Sequence, residues 1–206
     1  MKGTDQMSSE NIKTNIPAQP VKNIEDMINW RTHVQNNYPL KQYMFFALGL
    51  DTGIAPGKLL HLTWNRIQTL LGPGVPKDKR KLFIQIPSDV CEENSIVEVP
   101  PEDVEGLLQL RNNNPADVYV FQSESGRAAK SQPWTRQYVT KFLKDSAKEA
   151  GIAEKIGFLS LHKTFGYQLV VRGKFTLVEI QSIFEQHSLA ATRKYLNITD
   201  EKIQIR

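Results

Sequence analysis

Much of the fold prediction rests on the stretch IGFLSLHKTFGYQLVVRG, residues 156–173. Its second part, from about residue 161 to 172, is predicted to form a helix. A further helix is predicted over residues 176–185, and a last one from residue 189 onward. This last helix contains the stretch TRKYLNIT, in which Tyr195 follows two basic residues. A tyrosine on a short basic helix is a candidate nucleophile, and its role depends on the side chains around it.

Three more helices are predicted upstream. NIEDMINWRTHVQNN has apolar residues on one side, with Asn23 as its N-cap. LKQYMFFALGLDTG is apolar on nearly all sides, so we expect a buried helix that ends near Gly53. APGKLLHLTWNRIQTLLG carries Pro56 in its first turn, and its apolar residues follow helical spacing at Leu59, Leu62 and Ile67.

The hydrophobic period changes in the middle of the chain. LFIQI and IVEV are predicted as the two strands of a hairpin, and VYVF as one more short strand. A helix is predicted to begin near Pro101, and the long amphipathic helix PWTRQYVTKFLKDSAKEAG to end at Gly151. The predicted fold class is mainly α with a small antiparallel sheet, an α+β arrangement in one compact domain over residues 22–206. Residues 1–21 are polar, aperiodic and contain two prolines, and we expect a flexible arm there.

Composition excludes several classes of protein. The chain has 206 residues, of which 40% are hydrophobic and 23% charged, as is ordinary for a globular protein. No run of 18 apolar residues occurs, so a membrane is not an expected partner. The single cysteine, Cys91, excludes an internal disulfide and fits a cytoplasmic protein. Four scattered histidines offer no ligand spacing, and neither a metal nor a cofactor is predicted.

Positive charge is concentrated between residues 127 and 148. This segment has one acid, Asp145, and six basic residues, namely Arg127, Lys130, Arg136, Lys141, Lys144 and Lys148. The last three share one face of the predicted helix, and Pro133 and Thr135 stand at its start, where free N–H groups bind phosphate well. This pattern is typical of a helix laid against a DNA duplex. The alternative is an ordinary solvated lysine face.

Negative charge is concentrated between residues 88 and 105. The segment has no lysine or arginine, and it has seven acids: Asp89, Glu92, Glu93, Glu98, Glu102, Asp103 and Glu105. Such a surface is repelled by a phosphate backbone. We therefore expect a protein with two faces of opposite charge.

Three stretches together resemble a known family: TGIAPGKLLHLTW, IGFLSLHKTFGYQLVVRG and IFEQHSLAATRKYLNIT. They are similar to the catalytic domain of tyrosine recombinases, the phage integrase family, and the similarity runs over roughly residues 20–203. The order of elements matches as well. The resemblance implies the fold of that catalytic domain, without a separate N-terminal core-binding domain. It also implies double-stranded DNA as partner, in a bacterium or a phage-infected cell.

The resemblance carries a definite chemistry. In this family a tyrosine attacks a DNA phosphodiester and forms a 3′-phosphotyrosyl link, and Tyr195 stands at that position. Two arginines hold the scissile phosphate, because a guanidinium pairs with two phosphate oxygens at once. A hairpin lysine, a His or Lys, and a His or Trp handle protons.

Most of these positions differ in this chain. The first arginine is replaced by Ala55 and the second by His162, while the residue after it, Lys163, is one that the family accepts. The hairpin lysine falls near Asp89 or Val90. The histidine of the last motif is replaced by Gln186, and His187 stands one place later, about 100° away on a helix. Only Lys163 and Tyr195 match.

The missing arginines predict lost cleavage. One preorganised donor is worth on the order of 3 kcal/mol, so two suggest about 6 kcal/mol and about 10⁴-fold in rate. We expect Tyr195 to be a vestigial nucleophile that packs beside Leu189 and Leu196. Besides the basic segment, the predicted DNA contacts are Lys163, Arg193 and Lys194, and a basic arm with Lys2, Lys13 and Lys22 would assist them.

Three functions remain open from the sequence. The first is a sequence-specific DNA-binding protein that has lost cleavage and regulates transcription or modulates recombination. The second is an active recombinase that uses Tyr195 in a rewired pocket with His162, Lys163 and His187. The third is a protein-interaction module, docking through the acidic segment or through tail residues Ile198, Ile203 and Ile205. A second copy of the chain or a related active recombinase is the expected protein partner.

Overall fold

The computed structural model describes residues 17–69, 81–88, 94–124 and 131–199. Helices and strands follow in this order: α1 (Ile24–Asn37), α2 (Leu40–Asp51), α3 (Pro56–Leu60), β1 (Ile67–Thr69), β2 (Leu82–Ile86), β3 (Ser95–Glu98), α4 (Pro101–Asn113), α5 (Arg136–Glu149), α6 (Ser160–Val171), α7 (Leu177–Ile183) and α8 (Leu189–Leu196). The predicted fold class, mainly helical with a small antiparallel sheet, is confirmed.

Side-chain caps define where several helices begin. Asn23 accepts a hydrogen bond from the backbone N–H of Glu25, as predicted for the start of α1. Thr135 caps α5 and Ser188 caps α8 in the same way. Thr176 and Glu179 form a reciprocal capping box at α7. These local signals are carried by short polar side chains, which is why the sequence located the helix starts well.

The sheet has the order β1-β2-β3, with both pairs antiparallel. The two predicted strands are β2 and β3, and Ile84 in the middle of β2 lies opposite Val97 on one side and Ile67 on the other. The predicted long helix after Pro56 is wrong beyond Leu60. The chain turns away there, because its residues from Ile67 pair with β2 and gain ladder hydrogen bonds.

The predicted VYVF strand is also wrong. That stretch and the residue after it make isolated bridges, Tyr119 with Thr63 and Gln122 with Pro133, instead of a ladder. Its apolar residues Val120 and Phe121 are nevertheless fully buried. Burial in the core, and not strand pairing, therefore accounts for the apolar pattern.

The main core surrounds α2, which packs against α1, α4 and α6. Trp30 meets Phe46 edge to face with ring centroids 4.7 Å apart. Phe45, Phe121 and Trp134 form a second aromatic group beside them. The prediction of a buried helix over this stretch is confirmed, and it provides the rigid base on which α6 rests.

A second, smaller core joins α6 to α7 and α8. Its buried members are Val170, Ile180 and Leu196, with Phe184 and Tyr195 packed against them. The helices approach closely because Gly166 has no side chain: a Cβ atom there would lie within 2.9 Å of both Phe184 and Leu196. This contact sets the position of Tyr195 relative to α6.

Candidate functional site

The centre of the candidate site is the contact between Tyr195 on α8 and His162 on α6. The tyrosine hydroxyl lies 2.8 Å from Nδ1 of His162. Phe184 stacks on the imidazole with a centroid distance of 3.8 Å and meets the Tyr195 ring edge to face. Two of the sequence-predicted site residues are thus brought into direct hydrogen-bonding contact, and Phe184 completes an aromatic pocket around them.

Burial keeps both groups neutral. It lowers the pKa of His162 to about 4, with a smaller repulsion from the Lys58 and Lys163 ammonium groups, and a hydrogen bond to the backbone of Gly53 opposes this shift. Burial also raises the pKa of the Tyr195 hydroxyl above its usual range. At neutral pH the pair is an imidazole and a phenol that share one hydrogen bond.

Lys163 points to the other side of Tyr195. Its ammonium lies 4.7 Å from the centre of the tyrosine ring and donates a 2.8 Å hydrogen bond to the carbonyl oxygen of Ala18. The residue is only 6% exposed, and burial lowers the pKa of its amine. The lysine that matches the family is therefore engaged with the start of the described chain.

The segment Pro17–Lys22, here called the strap, lies across α6. Its backbone accepts two hydrogen bonds from Gln168 and donates one, from Val21, to Thr164. Its Gln19 side chain accepts a hydrogen bond from Asn197, at the end of α8. Most of the strap belongs to the segment predicted as a flexible arm. The structure holds these residues by polar contacts to a buried helix face.

Neither of the two positions at which the resemblance implies an arginine carries a guanidinium group. Ala55 is the N-cap of α3, and His162 is paired as described above. One turn after Ala55, the ammonium of Lys58 lies 3.1 Å from a carboxylate oxygen of Glu185. The other oxygen of Glu185 accepts a 2.6 Å hydrogen bond from Ser88. Lys58, Phe184 and Glu185 were not anticipated, because no local sequence signal marks contacts between such distant segments.

Gln186 and His187 lie between the two predicted helices, as the predicted bounds of residues 176–185 and 189 onward imply. They occupy the loop between α7 and α8. The loop is fixed by the backbone N–H of Gln186 donating to Gln181, and the Gln181 side chain donates back to the Gln186 carbonyl. His187 is exposed. α7 ends earlier than predicted, so the 100° helical offset between the two residues does not apply.

The predicted basic face exists on α5. Arg136, Lys141, Lys144 and Lys148 are all exposed, and Thr135 caps the helix. Lys141 bonds to Asp145 within the face, and Arg136 lies over the ring of Phe158 at 5.0 Å. On α8, Arg193 is half-buried and Lys194 exposed. Arg127 and Lys130 lie outside the described residues, as do Lys2, Lys13, Ile203 and Ile205.

The predicted acidic face is smaller than expected. Asp103 is 1% exposed and pairs with Arg31 beneath α4, next to Asp51. Glu98, Glu102 and Glu105 are exposed. Glu98 forms an ion pair with Lys81, the residue before β2. Asp89, Val90, Cys91, Glu92 and Glu93 lie outside the described residues. One acid of the segment thus serves the core instead of the surface.

Two negative findings concern the described part of the chain alone. Within residues 17–69, 81–88, 94–124 and 131–199, no group of three His, Cys, Asp or Glu side chains is arranged to hold a metal ion. Among the same residues, no helix has both the length and the apolar character needed to cross a bilayer.

Solved structures of two recombinases share this fold. The crystal structure of XerA recombinase superposes with a TM-score of 0.66 at 20% identity, covering 91% of this chain and 64% of that one. A XerH site-specific recombinase bound to palindromic difH substrate gives 0.69 at 16% identity, with coverages of 90% and 51%. The chain thus spans less than two thirds of either solved chain. The predicted tyrosine recombinase catalytic-domain fold is confirmed.

Sequence comparison agrees with the fold. The chain is 24% identical over 186 residues to the "Probable integrase/recombinase YoeC" of Bacillus subtilis (strain 168), covering 89% of this chain and 92% of that protein. The profile described as "Phage integrase family" matches residues 20–202, nearly the whole chain.

Proposed function

Because this chain belongs to the phage integrase family, we propose that it binds double-stranded DNA but does not cleave it. Its role is then to regulate transcription, or to modulate recombination by occupying the sites of an active relative. The lysine face of α5 and the end of α8 form the proposed DNA-binding surface. The relatives named above support DNA as the ligand, and the chemistry of the pocket supports the absence of cleavage.

The observation that carries the proposal is the buried, neutral His162–Tyr195 pair. Strand cleavage requires the tyrosine to lose its proton while negative charge on the phosphate is stabilised by cations. Here the hydroxyl is held by a neutral ring at the position of an expected arginine. Ala55 supplies no donor at the other arginine position. The pocket therefore lacks stabilisation at the two positions that matter most for the transition state.

A salt titration tests the proposed DNA binding. The affinity of the protein for duplex DNA should fall steeply with salt, because lysines release counterions from the phosphates. Replacing Lys141, Lys144 and Lys148 together by glutamine should reduce the slope of log K against log salt by about 2 to 3. The same charge change at the exposed Lys81, Lys155 and Lys174 is the control. Equal slopes in the two triple variants would contradict the proposed surface.

A suicide DNA substrate, which traps any covalent intermediate, tests the absence of cleavage. Since its natural site is not known, the substrate is taken from genomic fragments that co-purify with the protein. The expected result is no DNA adduct with the wild-type protein at any pH between 6 and 9. The Tyr195→Phe variant provides the background signal.

A second candidate function, an active recombinase, is favoured by one feature of the same contact. At 2.8 Å from the tyrosine hydroxyl, the neutral Nδ1 of His162 is within reach to accept its proton as a general base. An adduct that disappears in Tyr195→Phe, and falls at least about 100-fold in His162→Gln, would establish this function in place of the first.

A further inference from the structure

Glu185 connects three parts of the pocket. Its carboxylate takes a 3.1 Å contact from Lys58 on α3 and a 2.6 Å hydrogen bond from Ser88 after β2. Its neighbour Phe184 stacks on His162. Lys58 and Glu185 side chains are each 23% exposed, so the pair lies at the mouth of the pocket, neither fully buried nor freely solvated.

The backbone at Glu185 is unusual for a residue with a side chain. Its φ is 51°, in the left-handed region, one place after the C-terminal cap of α7. The N–H of Gln186 reaches back to the carbonyl of Gln181, which is the hydrogen bond of a Schellman motif. Glycine is the residue that this position favours, and another residue costs on the order of 1 kcal/mol. A glutamate held here against that preference points to a use for its carboxylate.

Lys58 is placed to replace a lost charge. It follows Ala55 by one helical turn, and its ammonium is close enough to His162 to disfavour protonation of the ring. Lys58 therefore places a positive charge near His162, on the same helix as Ala55, where the resemblance implies the first arginine. An ammonium and a hydroxyl that together hold a carboxylate can hold a phosphate equally well, since both ligands present paired anionic oxygens.

We propose that Lys58 and Ser88 form a binding site for a backbone phosphate of DNA, and that the carboxylate of Glu185 occupies this site until DNA displaces it. The inference rests on the proposed function for the source of the phosphate. Its consequence is that Glu185 weakens DNA binding: a phosphate must compete with an internal anion, and it must overcome the repulsion between the two.

The test titrates inorganic phosphate, at constant ionic strength set by chloride, into labelled protein. NMR signals of the Ser88 amide and the His162 ring report occupancy. In Glu185→Gln, half-saturation should occur at a phosphate concentration about tenfold lower than in the wild type, because the competing charge is gone. Glu185→Gly should respond in the same way and tolerates the left-handed backbone, so it serves if the glutamine variant folds poorly.

Two further variants make the test specific. Adding Lys58→Met to Glu185→Gln should abolish the phosphate response. Glu98→Gln breaks the exposed Lys81–Glu98 pair on the hairpin and should leave the response at the wild-type concentration. Equal half-saturation in the wild type and Glu185→Gln would overturn the inference. A response that survives Lys58→Met would overturn it as well.

Duplex DNA distinguishes this inference from the proposed function. We expect Glu185→Gln to bind duplex about tenfold more tightly than the wild type at equal salt. The phosphate titration could give the expected result while neither the wild type nor any variant binds duplex DNA more tightly than a neutral control protein does. In that case the proposed function fails and the phosphate site stands. If the wild type binds duplex and Glu185→Gln binds it equally, the inference alone is wrong.

Discussion

At the scale of single residues, the main feature is a histidine where relatives are expected to carry an arginine. An arginine keeps its charge in any pocket, whereas a buried imidazole gives up its proton. His162 carries no positive charge at neutral pH and forms a neutral aromatic contact with Tyr195 and Phe184. The proposed loss of cleavage depends on this contact.

The buried His162 predicts a loss of stability in acid. Its folded pKa of about 4 lies below the ordinary value of 6.5, so the unfolded chain takes up a proton that the folded chain refuses. This contribution is complete above pH 6.5 and falls by about 2 to 3 kcal/mol on going to pH 4.5. Urea unfolding at the two pH values measures it. The difference between wild type and His162→Gln isolates this residue, and a difference that does not vary with pH would refute the assignment.

Asp103 predicts the opposite dependence. Burial, together with the charge of Asp51, raises the pKa of Asp103 to about 7, against the pull of Arg31. The folded protein then holds a proton that the unfolded chain releases, so stability is lost as pH rises through 7. On going from pH 5 to pH 8.5, Asp103→Asn should lose about 2 to 3 kcal/mol less stability than the wild type, because it has no carboxyl group to deprotonate. Thermal unfolding at both pH values checks the sign, with the exposed Glu105→Gln as control.

The limits of sequence reasoning are clearest at this scale. Ala55 and His162 could be identified by position, but their consequence depends on contacts across the chain. Tyr195 and His162 are 33 residues apart, and Lys163 bonds to a carbonyl 145 residues away. No periodicity or local motif reports such a pairing. The sequence therefore predicts a set of candidate site positions, but not the contacts that their side chains make.

At the scale of elements, the position of α8 depends on the small core that it shares with α6 and α7. Gly166 allows this packing, and Ser188 and Asn197 define the two ends of α8. Asn197 adopts φ 54°, which asparagine tolerates better than most residues. The helix that carries Tyr195 is thus held by one close contact and two caps.

Gly166→Ala should destabilise this arrangement. The added methyl group would meet Phe184 and Leu196 within 2.9 Å, so α7 and α8 must shift. We expect a loss of about 1 to 3 kcal/mol, as for other overpacked sites, despite the better helix propensity of alanine. Chemical denaturation measures the loss. Gly57→Ala, where nothing lies within 4 Å of the added atom, is the matched control on another helix and should change stability much less.

Element prediction succeeded where local rules suffice. α1 and α4 begin at or next to the predicted residues, because caps and prolines act within a few positions, and α5 begins three residues after the predicted Pro133. It failed after Leu60 and at VYVF. Helical spacing of Leu62 and Ile67 arises there from two separate structures, and the pairing of Ile67 with Ile84 across the sheet decides the outcome.

At the scale of the whole molecule, the fold has two cores of very different size. The large one surrounds α2, and the small one has, among the described residues, three buried hydrophobic side chains that join α6, α7 and α8. The site lies at their junction. His162 belongs to α6, which packs on α2, whereas Tyr195 belongs to α8, which packs on α6 and α7. Tyr195 and Phe184 therefore depend on the smaller core, whereas α6, which carries His162, also packs on the larger one.

Native-state hydrogen exchange should reveal this difference. Amides of α7 and α8 are expected to exchange through local opening at lower free energy than amides of α2, because opening exposes far less apolar surface. Mass spectrometry of peptides covering residues 40–51 and 189–196 compares the two directly. Equal protection in both peptides would mean that the two cores unfold as one.

The strap connects the start of the described chain to the two helices, α6 and α8, that carry His162 and Tyr195. The Gln19 side chain accepts a hydrogen bond from Asn197, and the Ala18 carbonyl accepts one from Lys163. Both sides of the tyrosine therefore contact the same six-residue segment. Val21 of the strap is fully buried in the large core, so the same short segment contacts that core and the end of α8. The strap thus links residues that are far apart in sequence, Ala18 with Lys163 and Gln19 with Asn197, on either side of Tyr195.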